Sequence, residues 1–159
     1  MSVAFTREED AEAAAADLPD RPISPHPNLV TPEGLAALDA ELAAARAAHA
    51  EAQASGDVGA DRTPMARATR DLRYWSARRA SAQLVPGGGE AGIVRFGSRV
   101  TLDRADGRRQ TFRIVGEDEA DPAKGAVSHV SPLARALFGK GAGDTAILAG
   151  AEVEVIGVD

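Results

Sequence analysis

The chain has 159 residues, with 24 carboxylates against 18 lysines and arginines, a net charge of −6 and no cysteine. That length allows one compact domain with an extension or two small units, and the missing cysteines exclude disulfides, thiolate zinc sites and cysteine nucleophiles. The acidic balance excludes generic attraction to nucleic acid or anionic membrane.

No apolar run approaches the ~20 residues that span a bilayer. The stretch MSVAFTREEDAEAAAADLPD is acidic and lacks an apolar core, so a secretory signal is not expected and a cytoplasmic protein is. Charge is unevenly distributed. Glu8, Glu9, Asp10, Glu12, Asp17 and Asp20 dominate residues 1–27, whereas 62–79 carries Arg62, Arg67, Arg70, Arg73, Arg78 and Arg79 against Asp71 alone.

Residues 1–29 are polar and then proline-rich, which predicts a disordered acidic tail. A helix start follows at Val30-Thr-Pro-Glu-Gly34, where Thr31 can cap and Pro32 sits where its missing N–H costs nothing. Leu35, Leu38, Leu42, Ala45, His49 and Ala52 then recur at the 3-4 spacing of a coiled-coil seam. The glycines of SGDVGADRTP stop this helix, and Thr63-Pro64 starts another. Its seam residues are Met65, Ala68, Leu72, Trp75, Arg79 and Ala82. The pattern predicts an antiparallel helical hairpin over 30–85. Its arms, roughly 20 to 25 residues each, would be about 30 to 37 Å long at the helical rise.

Pro86-Gly-Gly-Gly89 opens a linker over 86–92, after which the period changes. Val100 and Leu102, then Phe112 and Ile114, alternate with polar neighbours across the turn signal Ala105-Asp-Gly107. Ala126–Val130, Thr145–Ala149 and Glu152–Val158 are further strand candidates. Ser131-Pro132 caps a short helix over Leu133–Phe138, closed by Gly139. The expected architecture is α+β: a helical hairpin followed by a small antiparallel sheet domain over 93–159 with one short helix.

The chemical motifs are sparse. Asp118–Asp121 spells D-E-A-D, a string associated with ATP-driven helicases, but no G-x-x-x-x-G-K-S/T loop accompanies it. Gly139-Lys-Gly-Ala-Gly-Asp-Thr145 has the wrong spacing. His26, His49 and His129 fall in three separate segments, so a triad or three-histidine metal centre is not expected. Asp57 and Asp61 flank the hairpin tip, where they could hold a hydrated magnesium ion at another protein's active site or simply serve the turn. Arg67, Arg70 and Arg73 could contact phosphates or pair with the acidic first helix. No aromatic row suited to base stacking accompanies them. The acidic tail could also fold back over this arginine face and mask it.

FGSRVTL (Phe96–Leu102), RIVGEDEAD (Arg113–Asp121), SPLARALFGK (Ser131–Lys140) and Gly143-Asp144 together resemble the C-terminal domain of the bacterial Gre transcript-cleavage factors. The order and spacing match over nearly all of 93–158, and the preceding helical hairpin is what that family places before this domain. The resemblance implies an FKBP-like C-terminal domain, an N-terminal coiled coil and binding to RNA polymerase at its secondary channel. It makes Asp118, Glu119, Asp121, Ser131, Pro132 and Arg135 the candidate docking residues. It also implies indirect contact with nascent RNA and DNA in the elongation complex.

The tip departs from the family. Cleavage-stimulating members carry G-D-x-x-E-N, whose carboxylates help to place the polymerase's second magnesium ion. Here GDVGAD keeps Asp57, puts Ala60 where the glutamate would be, and sets Asp61 one residue further on. Each arm is shorter than in those factors by about one heptad, or about 10 Å. The expectation is therefore a monomeric, non-enzymatic regulator that occupies the channel without strong cleavage stimulation. It has no cofactor of its own beyond a magnesium ion shared with polymerase. The alternatives are an active cleavage factor using Asp57 and Asp61, and an FKBP-like prolyl isomerase or peptide-binding module.

Overall fold

The computed structural model describes residues 18–55, 62–87 and 90–159. These form two compact units, one of residues through Pro25 with Leu38–Ser81, the other of His26–Ala37 with Ala82–Asp159. The architecture is mixed α+β, as the hydrophobic periods imply.

The framework of the first unit is helix α1 (Pro32–Ala54) from Leu38 onward, its opening residues Pro32–Ala37 belonging to the second unit, and helix α2 (Thr63–Ser81). Within α1 the burial follows the sequence pattern closely. Leu38, Leu42 and Ala45 are buried, His49 and Ala52 are half-buried, and the intervening positions are exposed. A two-residue-wide stripe of this kind is what a 3-4 repeat on a 3.6-residue helix presents. On α2, Ala68 is buried as expected, but Arg78 rather than Arg79 is the buried arginine. Arg79 is half-exposed and its Nε donates to Asp39 Oδ1 at 2.5 Å, so its long stem reaches the edge of the stripe and pairs there.

Residues 18–25 do not match the expected disordered tail. Arg21 and Asp20 make specific contacts with α2, and the acidic residues between Glu8 and Asp17 lie outside the described residues. Also outside them are Asp57, Asp61 and the rest of the expected hairpin tip at 56–61.

The second unit begins earlier than the linker would suggest. Strands β1 (Leu29–Val30) and β2 (Gln83–Leu84) pair in parallel, with Gln83 N–H donating to Asn28 O at 2.8 Å and Val85 N–H to Val30 O at 2.9 Å. Strands β3 (Arg99–Arg104), β4 (Arg109–Val115), β5 (Ala126–Ser128), β6 (Thr145–Leu148) and β7 (Ala151–Val158) form one sheet in the order β5-β4-β3-β7-β6. The expected antiparallel sheet needs one correction, since β5 pairs with β4 in parallel. The loop from Gly116 to Gly125 carries the chain back across so that β5 runs in the same direction as β4, the crossover that a parallel pair requires.

Local signals were otherwise followed. Gly107 takes φ 85° in the β3–β4 turn, where its N–H donates to Arg104 O at 2.9 Å. Val100 and Leu102 of β3 are fully buried, with Ile114, Val153 and Val155 beside them in the core. Helix α3 (Pro132–Leu137) covers this layer with Ala134 and Leu137.

The β6–β7 connection turns through Ala149 (φ 50°) and Gly150 (φ 79°), and Ala149 is the one non-glycine with positive φ among the described residues. An L-alanine held there is strained by roughly 1–2 kcal/mol, and two consecutive positive φ values favour Asn-Gly. Ala149→Asn is expected to stabilise the fold by about 0.5–1 kcal/mol, read as a higher urea midpoint at unchanged m value; a lower midpoint would contradict the assigned turn.

Candidate docking surface on the sheet unit

The loop after β4 contains the D-E-A-D string, and its first task is structural. Thr31 caps α1: its Oγ1 accepts from Gly34 N–H at 2.9 Å and its carbonyl accepts from Leu35 N–H at 2.8 Å. The same hydroxyl donates to Glu119 Oε2 at 2.6 Å. One buried hydroxyl, 1% exposed, thus relays between the helix's first amides and a carboxylate, whose charge suits the positive helix start.

The approach is close. A Cβ on Gly34 would lie 2.6 Å from Glu119 Oε2, and one on Gly116 would lie 2.4 Å from Leu29 O. Glu33 pairs with Arg113 at 3.2 Å. Its own backbone N–H and then Arg113 hold the Glu33 carboxyl below its ordinary range.

The other candidate residues separate into two groups. Asp121 shapes the loop: its N–H donates to Ala126 O at 2.8 Å and its carbonyl accepts from Ala126 N–H at 3.1 Å, so it closes a small bridge. Its carboxylate stands 3.9 Å from Lys124 Nζ. Asp118 is half-buried. Ser131 caps α3 by accepting from Ala134 N–H at 3.2 Å, while Pro132 and Arg135 are exposed on the same short helix.

Loop and helix meet around His129. It is 8% exposed, its ring lies edge-on to Phe96 at 5.5 Å, and its Nε2 has no hydrogen-bond partner among the described residues. Burial lowers its pKa, opposed by the charge of Glu117 and by the Pro27 carbonyl, and reinforced by His26 and Arg135. His26 therefore acts on His129, which corrects the expectation that all three histidines stand apart. His49 belongs to the other unit. No group of three or more His, Asp or Glu among the described residues could hold a metal ion.

The arginine candidates lie on α2. Arg73 pairs with Asp20 at 3.2 Å and Arg70 lies 3.6 Å from Asp71, while Arg67 is exposed. Position alone exposed Arg135 and the Ser131 cap to sequence reasoning. The inward commitment of Glu119 had no local signal, because its partner is 88 positions away.

Residues 89–158 match the sequence model described as "Transcription elongation factor, GreA/GreB, C-term". A transcription elongation factor GreA of Ruegeria pomeroyi is 34% identical over 141 residues, covering 73% of this chain and 84% of that protein. A second GreA, from Desulfovibrio desulfuricans, is 34% identical over 130 residues, covering 72% and 80%. The GreA of Hyphomonas neptunium is 54% identical over 57 residues, 35% of this chain and 36% of that protein. Among solved structures, GreA factor homolog 1 of Thermus thermophilus is 20% identical over 84% of this chain and 99% of that chain, with a TM-score of 0.40. The chain belongs to the GreA/GreB family, a family of transcription elongation factors.

Thr31→Val removes a cap and a buried acceptor together and is expected to cost about 1–3 kcal/mol in urea unfolding. In a double-mutant cycle with Glu119→Gln the coupling should be about 0.5–2 kcal/mol, whereas additive effects would show that the hydroxyl and carboxylate do not act as a pair.

Proposed function

We propose that the chain is a transcription elongation regulator that binds RNA polymerase at the rim of its secondary channel through residues 113–140. In this reading residues 31–84 form an antiparallel hairpin that enters the channel, and the sheet unit is FKBP-like. The observation that carries the reading is the kinship with a GreA protein at 34% identity, covering 73% of this chain and 84% of that protein. The hairpin is supported by the Asp39–Arg79 pair, which joins the beginning of α1 to the end of α2.

The surface offered to polymerase combines the exposed positions of the short helix with two half-buried loop carboxylates. Pro132 and Arg135 project from a capped helix start, and the Asp118 and Asp121 carboxylates lie on the adjoining loop. Charges of both signs on a rigid edge favour a fixed docking register and electrostatic steering. Glu119 serves this surface from behind, by holding the loop to α1.

Cleavage stimulation is expected to be weak. GDVGAD lacks the glutamate of the family tip at Ala60. The arms are short as well: α1 has 23 residues and α2 has 19, or about 35 and 29 Å of rise. Metal ligation requires contacts near 2 Å, so a short reach is decisive for that chemistry. Occupying the channel without delivering carboxylates leaves competition with other channel-binding factors as the activity. The prolyl isomerase reading gains nothing here, because Phe96 packs on His129 and Phe138 is exposed at the end of α3.

Two measurements test the reading. In stalled elongation complexes the protein should bind yet release little cleaved RNA, and Asp57→Ala with Asp61→Ala should change that little; robust cleavage lost in the double variant would establish the active-factor alternative. Asp121→Arg with Arg135→Glu should weaken polymerase binding by about tenfold, roughly 1.4 kcal/mol, at unchanged circular dichroism. Unchanged binding would place the docking surface elsewhere.

A further inference from the structure

Asp20 and Arg21 contact α2 in the manner of a bound peptide. The Arg21 guanidinium carbon stands 3.9 Å from the Tyr74 ring centroid and 5.4 Å from that of Trp75. The two rings meet edge to face at 4.9 Å and 82°, so they form a corner that a flat cation can enter. Arg21 Nη1 donates to Asp71 Oδ1 at 3.3 Å, which closes the corner with a carboxylate. Beside it, Arg73 Nη1 donates to Asp20 Oδ1 at 3.2 Å. Two adjacent residues of opposite charge are thus each read by a complementary group, Asp71 and Arg73, two positions apart on the helix.

The chemistry is selective. A planar guanidinium stacks on aromatic faces while donating sideways to a carboxylate, which a lysine ammonium does poorly. The occupant is also weakly held. The Arg21 and Asp71 side chains are 36% and 39% exposed, and Arg73 and Asp20 are 66% and 64% exposed, so water and salt compete for every charge. Pro19, Pro22 and Pro25 keep the segment extended, and its affinity for α2 is raised by the high local concentration that a tether provides.

We propose that the α2 face formed by Asp71, Tyr74 and Trp75, with Arg73 beside it, is a guanidinium-binding site that the chain fills with its own Arg21. Its ligand in trans is a partner peptide carrying an acidic residue directly before an arginine, the chemistry that Asp20-Arg21 displays. The segment 18–25 is then a displaceable latch. This differs from a simple mask of the arginine row by acidic residues, because the central contact is a cation entering an aromatic and acidic corner. It does not depend on polymerase binding.

Trp75 is the only tryptophan, so its emission reports on the site. The full chain carrying Asp20→Ala and Arg21→Ala is titrated with a synthetic peptide of sequence LPDRPISP. A saturating change in emission with a midpoint of about 1 mM is expected, since the free peptide lacks the tether. The unsubstituted chain should respond about tenfold more weakly, because Arg21 competes, and a peptide with alanine for its arginine should give no change. No response from the folded double variant, or equal responses to both peptides, would overturn the proposal.

If the double variant loses its far-UV circular dichroism, the chain carrying only Arg21→Lys decides. That substitution keeps the charge and weakens the stacking, so it should bind the peptide better than the unsubstituted chain does. Equal binding would overturn the proposal.

Discussion

A helix of this length begins with amides that its own turns do not satisfy, and here the solution reaches across the chain. Thr31 Oγ1 accepts from one of those amides and donates its own hydroxyl hydrogen bond to Glu119. The arrangement needs a glycine at 34, where a side chain would strike the carboxylate, and another at 116, where a side chain would strike the Leu29 carbonyl. Arg113 and Glu33 add a second tie, between strand β4 and the same helical turn. The first turn of α1 is therefore part of the sheet unit in a physical sense, fixed by short polar contacts.

This dependence gives the D-E-A-D loop two faces. Its inward face is occupied by Glu119, and its crossover geometry sets β5 parallel to β4. In the proposed reading a partner meets Asp118, Asp121 and the neighbouring start of α3, which are backed by a packed core in which Ala134 and Leu137 are almost fully buried. A docking edge is useful only if it is stiff, and here the stiffness comes from Ser131 capping α3 and from the strand bridge at Asp121. His129 lies under this edge, buried against Phe96, with charges from the loop and from α3 acting on it.

Features made by neighbours in sequence were legible in the sequence. Thr31-Pro32 and Ser131-Pro132 announce helix starts because capping is settled within one turn, and Val100 and Leu102 announce a buried strand face because alternation is local. Leu38, Leu42 and Ala45 did the same for the stripe on α1. Contacts between distant segments were not legible. Strands of two residues such as β1 and β2 carry no period at all, and the parallel pairing of β5 depends on a loop's path. Arg21 read as part of a polar tail because nothing in its own neighbourhood reveals Tyr74 and Trp75, some fifty positions on. At the candidate site the same division holds: Ser131, Pro132 and Arg135 are where a capped surface helix puts them, whereas Glu119 turns inward for a reason that only the folded chain supplies.

In the proposed reading one surface is responsible for recognition, a stiff edge of the sheet unit centred on the loop and on α3. Amide hydrogen exchange of the full chain with and without RNA polymerase addresses this directly. Protection should rise most over residues 117–121 and 131–136. Protection that spares both stretches, or no change anywhere at saturating polymerase, would contradict the assignment.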